Sequence, residues 1–174
     1  VLRKRADPCV YTSITPAWNN INLRRLSDKI RSSTIFAHVR AATPGLITSQ
    51  TNCHPFQYKQ FMFMHNGAVA HWDEIKRGLL FALKEKFFAA VQGSTDSELC
   101  FYMILNEIEN ILERNARGAV DSPPPPADVY KAAIVATIRM LVSAIEQCNE
   151  RHGGRAGASV PAITAGAAPA PGAA

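Results

Sequence analysis

The segment FMFMHNGAV, residues 61–69, constrains the fold more than any other part of this sequence. Its two Phe residues alternate with two Met residues, so a strand here presents apolar side chains on both faces, as strands covered on both sides do. The strand runs into Asn66 and Gly67, a pair that often makes a hairpin turn because both residues accept a positive φ. A helical pattern follows Gly67 instead of a return strand. The pair therefore either makes a plain turn or belongs to a functional site.

The remaining apolar patterns predict strands first and helices later. Strands are expected at CVYTSIT (9–15), TIFAHVRA (34–41) and FQYKQFMFMH (56–65), with a short amphipathic helix in NLRRLSDKIRSS (22–33). The loop at 43–56 is rich in Pro, Gly, Thr, Ser and Asn. Strands clustered ahead of helices favour an α+β layered domain.

Three helices are predicted after residue 71. Apolar residues recur every three or four positions from Trp72 and mark an amphipathic helix that ends near residue 93. A second helix opens at STDSE (94–98), and Thr95 with Glu98 forms the pattern of a capping box. Four prolines at 123–126 then predict an extended linker, after which Asp128 is the expected N-cap of a third helix that reaches about Gln147.

Length and composition indicate one folded domain with a tail. Residues 1–150 are predicted to form the domain, whereas 151–174 consist mostly of Ala, Gly and Pro without apolar periodicity and are predicted to be disordered. The net charge is +5, with a basic cluster in the first 31 residues. That cluster lacks interleaved aromatic residues and any known binding motif, so a solvated surface is expected and no nucleic-acid partner.

The cysteine pattern and hydropathy predict where the protein resides. Its 4 cysteines are widely spaced, without a C-x-x-C pair or a secretory signal, and are expected to be reduced, mostly packed thiols. No apolar run approaches the ~20 residues that span a bilayer, so no membrane association is expected. We predict a soluble cytoplasmic protein without cofactor or metal. Because the sequence starts at Val1, the chain is expected to be processed or incomplete.

Polar groups follow apolar elements in four places, and each has a structural and a functional interpretation. These places are His38-x-Arg40-x-x-Thr43, Asn52-Cys53-His54-Pro55, His65-Asn66-Gly67 and Thr95-Asp96-Ser97-Glu98. Arg40 could simply reach solvent, or its guanidinium could bind a substrate carboxylate through two parallel hydrogen bonds. Asp96 could serve only the helix dipole, or it could bind a substrate ammonium group.

Two further chemical possibilities arise from the same segments. The Asn66 amide and the Gly67 N–H could form an oxyanion hole, in which one donor lowers a barrier by ~3 kcal/mol. Cys53 and His54 invite a nucleophile or metal interpretation. Adjacent residues do not form the usual Cys–His pair, however, and no ligand spacing typical of zinc is present.

Taken in order, HVRAAT, TNCHPF, FMFMHNG and TDSE closely resemble the class II glutamine amidotransferase domain of the N-terminal nucleophile hydrolase superfamily. CVYTSITPAWNNINL is similar to the glutathione-degrading branch, whose amidotransferase-like subunits act with a metallopeptidase-like partner on γ-glutamyl bonds. The resemblance implies a four-layer α-β-β-α sandwich, here incomplete at the N-terminus.

The resemblance also implies a role for each site residue. Asn66 and Gly67 would form the oxyanion hole, Arg40 would bind the α-carboxylate of the substrate, and Asp96 its α-ammonium group. Thr43 and His54 would line the same pocket. The expected function is hydrolysis of a γ-glutamyl amide, in glutamine or glutathione, by cysteine acyl transfer.

The family's nucleophile is a cysteine at the mature N-terminus, whose own α-amine acts as the base. This chain begins with Val1, and the resemblance implies that Cys9 lies in a strand downstream of the nucleophile. As given, the chain is therefore expected to be inactive and marginally stable. The alternative function is a non-catalytic binding or scaffold subunit that keeps the substrate site.

Overall fold

The computed structural model describes residues 7–40, 48–115 and 124–153. Its helices and strands are α1 (Ile21–Ser27), β1 (Phe56–Tyr58), β2 (Phe61–Phe63), α2 (Trp72–Phe81), α3 (Glu85–Phe88), α4 (Asp96–Arg114) and α5 (Ala127–Arg151). Single 3-10 turns occur at Ala17–Asn19 and Gln50–Asn52.

Helix α4 is the centre of the described core. It packs against α2, α3 and α5, and apolar residues along nearly its whole length are buried, among them Leu99, Met103, Leu105 and Ile108. Residues three and four apart share one face of a helix, so these residues form a broad apolar face of α4 that is buried in the core. On one side the core includes the β1–β2 pair and Phe87, and on the other it includes α2 and the last turns of α5.

The predicted strand at 56–65 is a two-stranded hairpin. Phe56 pairs with Phe63 and Tyr58 with Phe61 in an antiparallel register. The chain reverses at Lys59, which takes a positive φ of 52°. Phe56 and Phe61 are buried in the same cluster as α4, as their apolar side chains predict. The single strand predicted here is divided in two by the turn at Lys59.

The strand predictions at 9–15 and 34–41 are wrong for the described residues. No strand forms at 9–15 or 34–40, and residue 41 lies outside the described ranges. Ile35 and Val39 are 75% and 78% exposed, so the second segment is also not buried. A strand persists only beside a neighbour that completes its hydrogen bonds, and the only sheet in the described parts of the chain is the β1–β2 hairpin.

This architecture combines helices with a small sheet. The described residues hold five α-helices and one two-stranded sheet, in agreement with an α+β class. The four-layer sandwich that the resemblance implies is not seen among them. The proposed tail falls largely on residues 154–174, which lie outside the described residues.

The helix predicted from Trp72 to about residue 93 is interrupted. It forms as α2 and α3, separated by Ala82–Lys84. The N–H of Lys84, at the start of α3, donates a 2.9 Å hydrogen bond to Oδ1 of Asn106 in α4. The first N–H groups of a helix have no partner within the helix. Because Asn106 supplies a partner for the Lys84 N–H, a new helix can start at this point. Both helices still bury the predicted apolar face, through Ile75, Leu79 and Phe87.

Two of the predicted caps need correction. Thr95 does cap α4, since its Oγ1 accepts from the Glu98 N–H at 3.2 Å. The Glu98 carboxylate instead accepts from the N–H groups of Gln92 and Gly93, at 2.8 and 2.7 Å, so the capping box is not reciprocal. Helix α5 is preceded by Pro126, which makes Asp128 a first-turn residue, and α5 extends to Arg151.

The four cysteines are free thiols. Cys100 and Cys148 are buried and Cys53 is partly buried, which agrees with the prediction of mostly packed thiols, and Cys9 is the exposed exception. Among the described residues, no helix has the length and apolar character needed to cross a bilayer.

Candidate functional site

The polar segments singled out in the sequence meet beside the first turn of α4. The hairpin ends at Phe63 and delivers His65-Asn66-Gly67 to this point, while Thr95 caps the helix there. The segment that contains His38 and Arg40 and the turn at Gln50–Asn52 approach from the other side. Hydrogen bonds and one contact between two imidazole rings connect all four segments.

Two hydrogen bonds join the HNG turn to α4. His65 Nδ1 and Ser97 Oγ lie 3.0 Å apart, and the Val69 N–H donates to Asp96 Oδ2 at 2.8 Å. The other carboxylate oxygen of Asp96 accepts from the Ser97 N–H at 2.7 Å. Each Asp96 oxygen is thus oriented by a backbone donor, which fixes the carboxylate at the start of the helix.

His38 connects the first segment to two others. Its Nε2 hydrogen-bonds to the carbonyl of His65 at 3.3 Å. Its ring stacks on His54, with centroids 4.2 Å apart and planes inclined by 26°. The HVR and NCHP segments therefore meet through two stacked imidazole rings next to the HNG turn.

Asn52 links Arg40 to the loop ahead of α4. Arg40 Nη1 donates to the Asn52 carbonyl at 3.4 Å. The Asn52 side chain, which is buried, accepts from the Ser94 N–H at 2.9 Å and donates to Ser94 Oγ at 3.3 Å. These bonds hold the NCHP segment against the approach to α4.

Gly93 permits this close approach. A Cβ at residue 93 would lie 2.4 Å from Asn52 Oδ1 and 2.8 Å from both Glu98 Oε2 and the Thr51 carbonyl. Real Cβ atoms do not approach backbone and buried polar atoms so closely, so only glycine fits without displacement.

His54 lies at the centre of the cluster. It is 8% exposed, and in the described parts of the chain neither ring nitrogen has a hydrogen-bond partner. Burial is the main cause that lowers the pKa of His54 to about 4; the nearby His38, Arg40 and His65 side chains contribute to the lowering, and Asp96 opposes it. His54 is therefore neutral at pH 7, and its pKa responds to the charges of both Arg40 and Asp96.

The predicted site residues fall into three groups. Arg40 and Asp96 both act electrostatically on the buried His54 ring, where Arg40 lowers the pKa of His54 and Asp96 raises it, and the Arg40 side chain is exposed. Asn66 and Gly67 are exposed at the turn that leads to Val69, and in the described parts of the chain no hydrogen bond engages the Asn66 side chain. Thr43 lies outside the described residues.

Gly67 adopts a conformation that favours glycine. Its φ is +153°, and a Cβ there would lie 3.0 Å from His65 Nε2. Both the backbone and the space beside the imidazole thus select the smallest residue. The exposed backbone at this turn remains accessible to a small molecule.

Cys53 has the environment of a structural thiol. Its Sγ lies 3.3 Å from the carbonyl oxygen of Ser49 and 3.6 Å from that of Ser13, and both oxygens are acceptors for its one S–H. Burial raises the pKa of Cys53, and the charge of Arg40 offsets this only in part. A protonated thiol that binds two carbonyls is a poor nucleophile, in agreement with the sequence interpretation.

The sequence did not assign roles to several residues that build the cluster. His38, His65, Asn52 and Ser97 lie in the marked segments, but their mutual contacts join residues 27 to 42 positions apart. Gly93 and Ser94, directly ahead of the capping residue Thr95, had only a helix end and a helix start predicted for them, and no part in the site. A Gly-Ser pair immediately before a helix cap is a signal of close backbone approach that could have identified them.

The sequence matches one protein family over more than half of its length. Residues 15–123 match the family described as glutamine amidotransferases class-II. The probable glutamine amidotransferase DUG3 of Saccharomyces cerevisiae is 48% identical over 104 residues, which cover 60% of this chain and 29% of the yeast protein.

A solved structure gives a similar result. The glutamine aminotransferase class-II domain protein from Silicibacter pomeroyi has 33% sequence identity and a TM-score of 0.52. The match covers 67% of this chain and 46% of the bacterial chain. The present chain thus spans less than half of either relative's length.

Proposed function

This chain belongs to the class II glutamine amidotransferases, and we propose that it supplies the substrate-binding part of a hydrolase that cleaves a γ-glutamyl amide bond. Glutamine and glutathione share the same γ-glutamyl head, an α-carboxylate and an α-ammonium group on one carbon. A site that recognises this head needs a cation and an anion close together. We propose that Arg40 supplies the cation and Asp96 the anion.

The observation that carries the proposal is the set of contacts that connects the segments of Arg40 and Asp96 at His54. Arg40 donates to the carbonyl of Asn52, two residues before His54. His38 stacks on His54 and bonds to the carbonyl of His65, in the turn that leads to Val69, the backbone donor to Asp96. Asp96 is oriented by Val69 and Ser97, as described above, and Arg40 by the Asn52 carbonyl. A carboxylate oriented by two backbone donors, as Asp96 is, loses little further freedom when it binds a ligand.

In the proposed reaction Arg40 binds the α-carboxylate and Asp96 the α-ammonium group. A guanidinium can make two parallel hydrogen bonds to a carboxylate, which fixes orientation as well as charge. His54 is proposed to line the site near the head group, and Thr43, which lies outside the described residues, is proposed to line the same site. A neutral His54 would contribute shape, since an uncharged imidazole adds no net charge next to the substrate.

Asn66 and Gly67 are proposed to stabilise the oxyanion. The Asn66 amide and the Gly67 N–H would donate to the carbonyl oxygen as it becomes negative in the tetrahedral intermediate. The Asn66 side chain is exposed and has no competing hydrogen bond in the described parts of the chain. A donor not engaged by the protein is available to the reacting group.

The attacking sulfur is proposed to come from an N-terminal cysteine of a longer protein. It adds to the γ-carbonyl and expels the amine, and water then releases glutamate from the thioester. The resemblance to the glutathione-degrading branch further suggests a cytoplasmic enzyme that works with a metallopeptidase-like partner subunit.

Glutamate release by the whole protein tests the proposal. Glutamine and glutathione are supplied separately, with and without a peptidase-like partner, and glutamate is quantified. Arg40→Lys, which keeps the charge but loses the two-pronged geometry, is compared with Arg40→Ala. Arg139→Ala changes an exposed arginine of α5 and serves as the matched control.

We expect glutamate from at least one substrate, a raised KM for both Arg40 variants, and no effect of Arg139→Ala. Binding of glutamate without turnover by the folded whole protein would identify a non-catalytic scaffold. Turnover that is insensitive to Arg40 would reject the proposed substrate site.

A further inference from the structure

A second cluster of reactive side chains lies where the end of α5 meets the start of α2. His71 and Glu74 are one helical turn apart at the N-terminus of α2, and Cys148 and His152 are one turn apart at the C-terminus of α5. Residues three or four apart lie on the same face of a helix, so each helix offers two side chains to the other.

The four side chains converge on the Glu74 carboxylate. Its Oε2 lies 3.2 Å from Cys148 Sγ and 2.6 Å from His152 Nε2, and its Oε1 lies 3.6 Å from His71 Nδ1. Donor atoms of His71, Glu74 and Cys148 all lie within 4.8 Å of one another. The two imidazole rings are nearly parallel, with centroids 6.3 Å apart.

We propose that His71, Glu74, Cys148 and His152 bind one Zn²⁺ ion and thereby hold α5 against α2. Thiolate, imidazole and carboxylate are the ligands that zinc takes in tetrahedral sites, whereas Mg²⁺ and Ca²⁺ prefer oxygen ligands alone. None of these four residues belongs to the proposed substrate site, and the role of the ion is structural.

Two of the donor separations around Glu74 are close to those of a tetrahedral zinc centre. Zinc–ligand bonds of about 2.0 to 2.3 Å place neighbouring donors roughly 3.3 to 3.8 Å apart. Cys148 Sγ lies 3.2 Å from Glu74 Oε2, and His71 Nδ1 lies 3.6 Å from the other carboxylate oxygen, Oε1. The 2.6 Å contact between Glu74 and His152 has to open by about 0.7 Å to admit the ion.

One side of the proposed zinc site is buried in the protein and the other side is exposed to solvent. Cys148 is fully buried, His71 is partly buried, and Glu74 and His152 are exposed, so the ion can enter from solvent and reach the thiol. In the structure the Cys148 thiol donates its hydrogen to Glu74. Binding replaces that hydrogen with the metal, and the proton leaves to solvent.

His71 has a backbone conformation consistent with a fixed ligand position. Its φ of 52° and ψ of 30° place it in the left-handed region, which costs a non-glycine residue some strain. That conformation places the His71 side chain on Glu74, across the first turn of α2. Because Val69, two residues earlier, binds Asp96, the ion would also brace the segment that follows the HNG turn.

Cobalt and zinc titrations of the metal-depleted full chain, without an affinity tag, test the inference. Co²⁺ reports tetrahedral geometry and thiolate ligation by its visible absorption and its sulfur-to-metal charge-transfer band. We expect one Co²⁺ per chain with both features, displacement by Zn²⁺, and a higher unfolding temperature with Zn²⁺ bound.

Single substitutions identify the ligands. Cys148→Ser should abolish the charge-transfer band, whereas Cys100→Ser, which changes another buried cysteine, should leave it intact. Because Cys148→Ser alters the core, His152→Ala at an exposed position gives a second test, with affinity at least about tenfold weaker. No stoichiometric Co²⁺ binding, or binding unchanged in both His152→Ala and Cys148→Ser, would overturn the inference.

Discussion

The backbone N–H of Val69 donates a 2.8 Å hydrogen bond to Oδ2 of Asp96. This bond joins the turn that carries Asn66 and Gly67 to the first residue of α4. In the proposed reaction the turn binds the developing oxyanion and Asp96 binds the ammonium group. In that proposal, this hydrogen bond fixes the distance between the two parts of the protein that would bind opposite ends of the substrate.

Asp96→Asn should weaken substrate capture in the complete protein. Asparagine retains an acceptor for one of the two backbone N–H groups but loses the charge that binds the α-ammonium group. A hydrogen bond to a charged group contributes about 1.5 to 3 kcal/mol, so we expect KM to rise roughly 10- to 100-fold. Asp73→Asn, an exposed acid in the first turn of α2, is the control. An unchanged KM in steady-state kinetics would show that Asp96 does not touch the substrate.

Asn66→Ala should slow turnover while leaving substrate affinity nearly unchanged. An oxyanion donor acts mainly in the transition state, and its loss costs roughly 100- to 1000-fold in kcat. The exposed position of Asn66 makes an effect on folding small. Steady-state kcat and KM with the preferred γ-glutamyl substrate are the readout. A tenfold rise in KM at constant kcat would assign Asn66 to ground-state binding instead.

Gly93→Ala should destabilise the chain, whereas Gly78→Ala should not. A Cβ at residue 93 meets Asn52 and Glu98, but a Cβ at residue 78 has no atom within 4 Å. Gly78 lies inside α2, where alanine is favoured over glycine by about 1 kcal/mol. Urea denaturation of both variants measures their free energies of unfolding. Equal stability of the two variants would mean that the loop at Gly93 shifts without cost.

His54 should make the chain less stable in acid. Its pKa is lowered to about 4 in the folded state, so the unfolded state binds the proton more tightly. The stabilising effect of a neutral His54 is fully present above its ordinary pKa of about 6.5 and is lost as pH falls toward 4. Denaturant unfolding at several pH values should therefore give a steeper decline for the unaltered chain than for His54→Asn. NMR titration showing His54 protonated at pH 6 would contradict this.

Part of the fold follows from local sequence, and part depends on partners far along the chain. The apolar repeat of α4 and its Thr95 cap were predictable, because both depend on residues within a few positions. The interruption between α2 and α3 was not, since it depends on Asn106, 22 residues away from Lys84. Likewise, the segment with Ile35 and Val39 has the composition of a strand but lacks a neighbouring strand in the described parts of the chain.

The candidate site shows the same division. The sequence indicated which segments carry reactive groups, because polar residues follow apolar elements in each. It did not reveal the contacts of Asn52 with Ser94, or of His38 with His54, since these join segments that only folding brings together. The proposed zinc ligands could not be predicted from the sequence for the same reason. Their spacing is regular within each helix, but the two pairs lie over 70 residues apart.

A crystal structure of the complete protein with L-glutamate bound is the most direct test of the proposed site. We predict the α-carboxylate on the Arg40 guanidinium, the α-ammonium group on Asp96, and the γ-carboxylate facing Asn66 and the Gly67 N–H. Glutamate bound elsewhere, or with its charged groups away from both Arg40 and Asp96, would contradict the account.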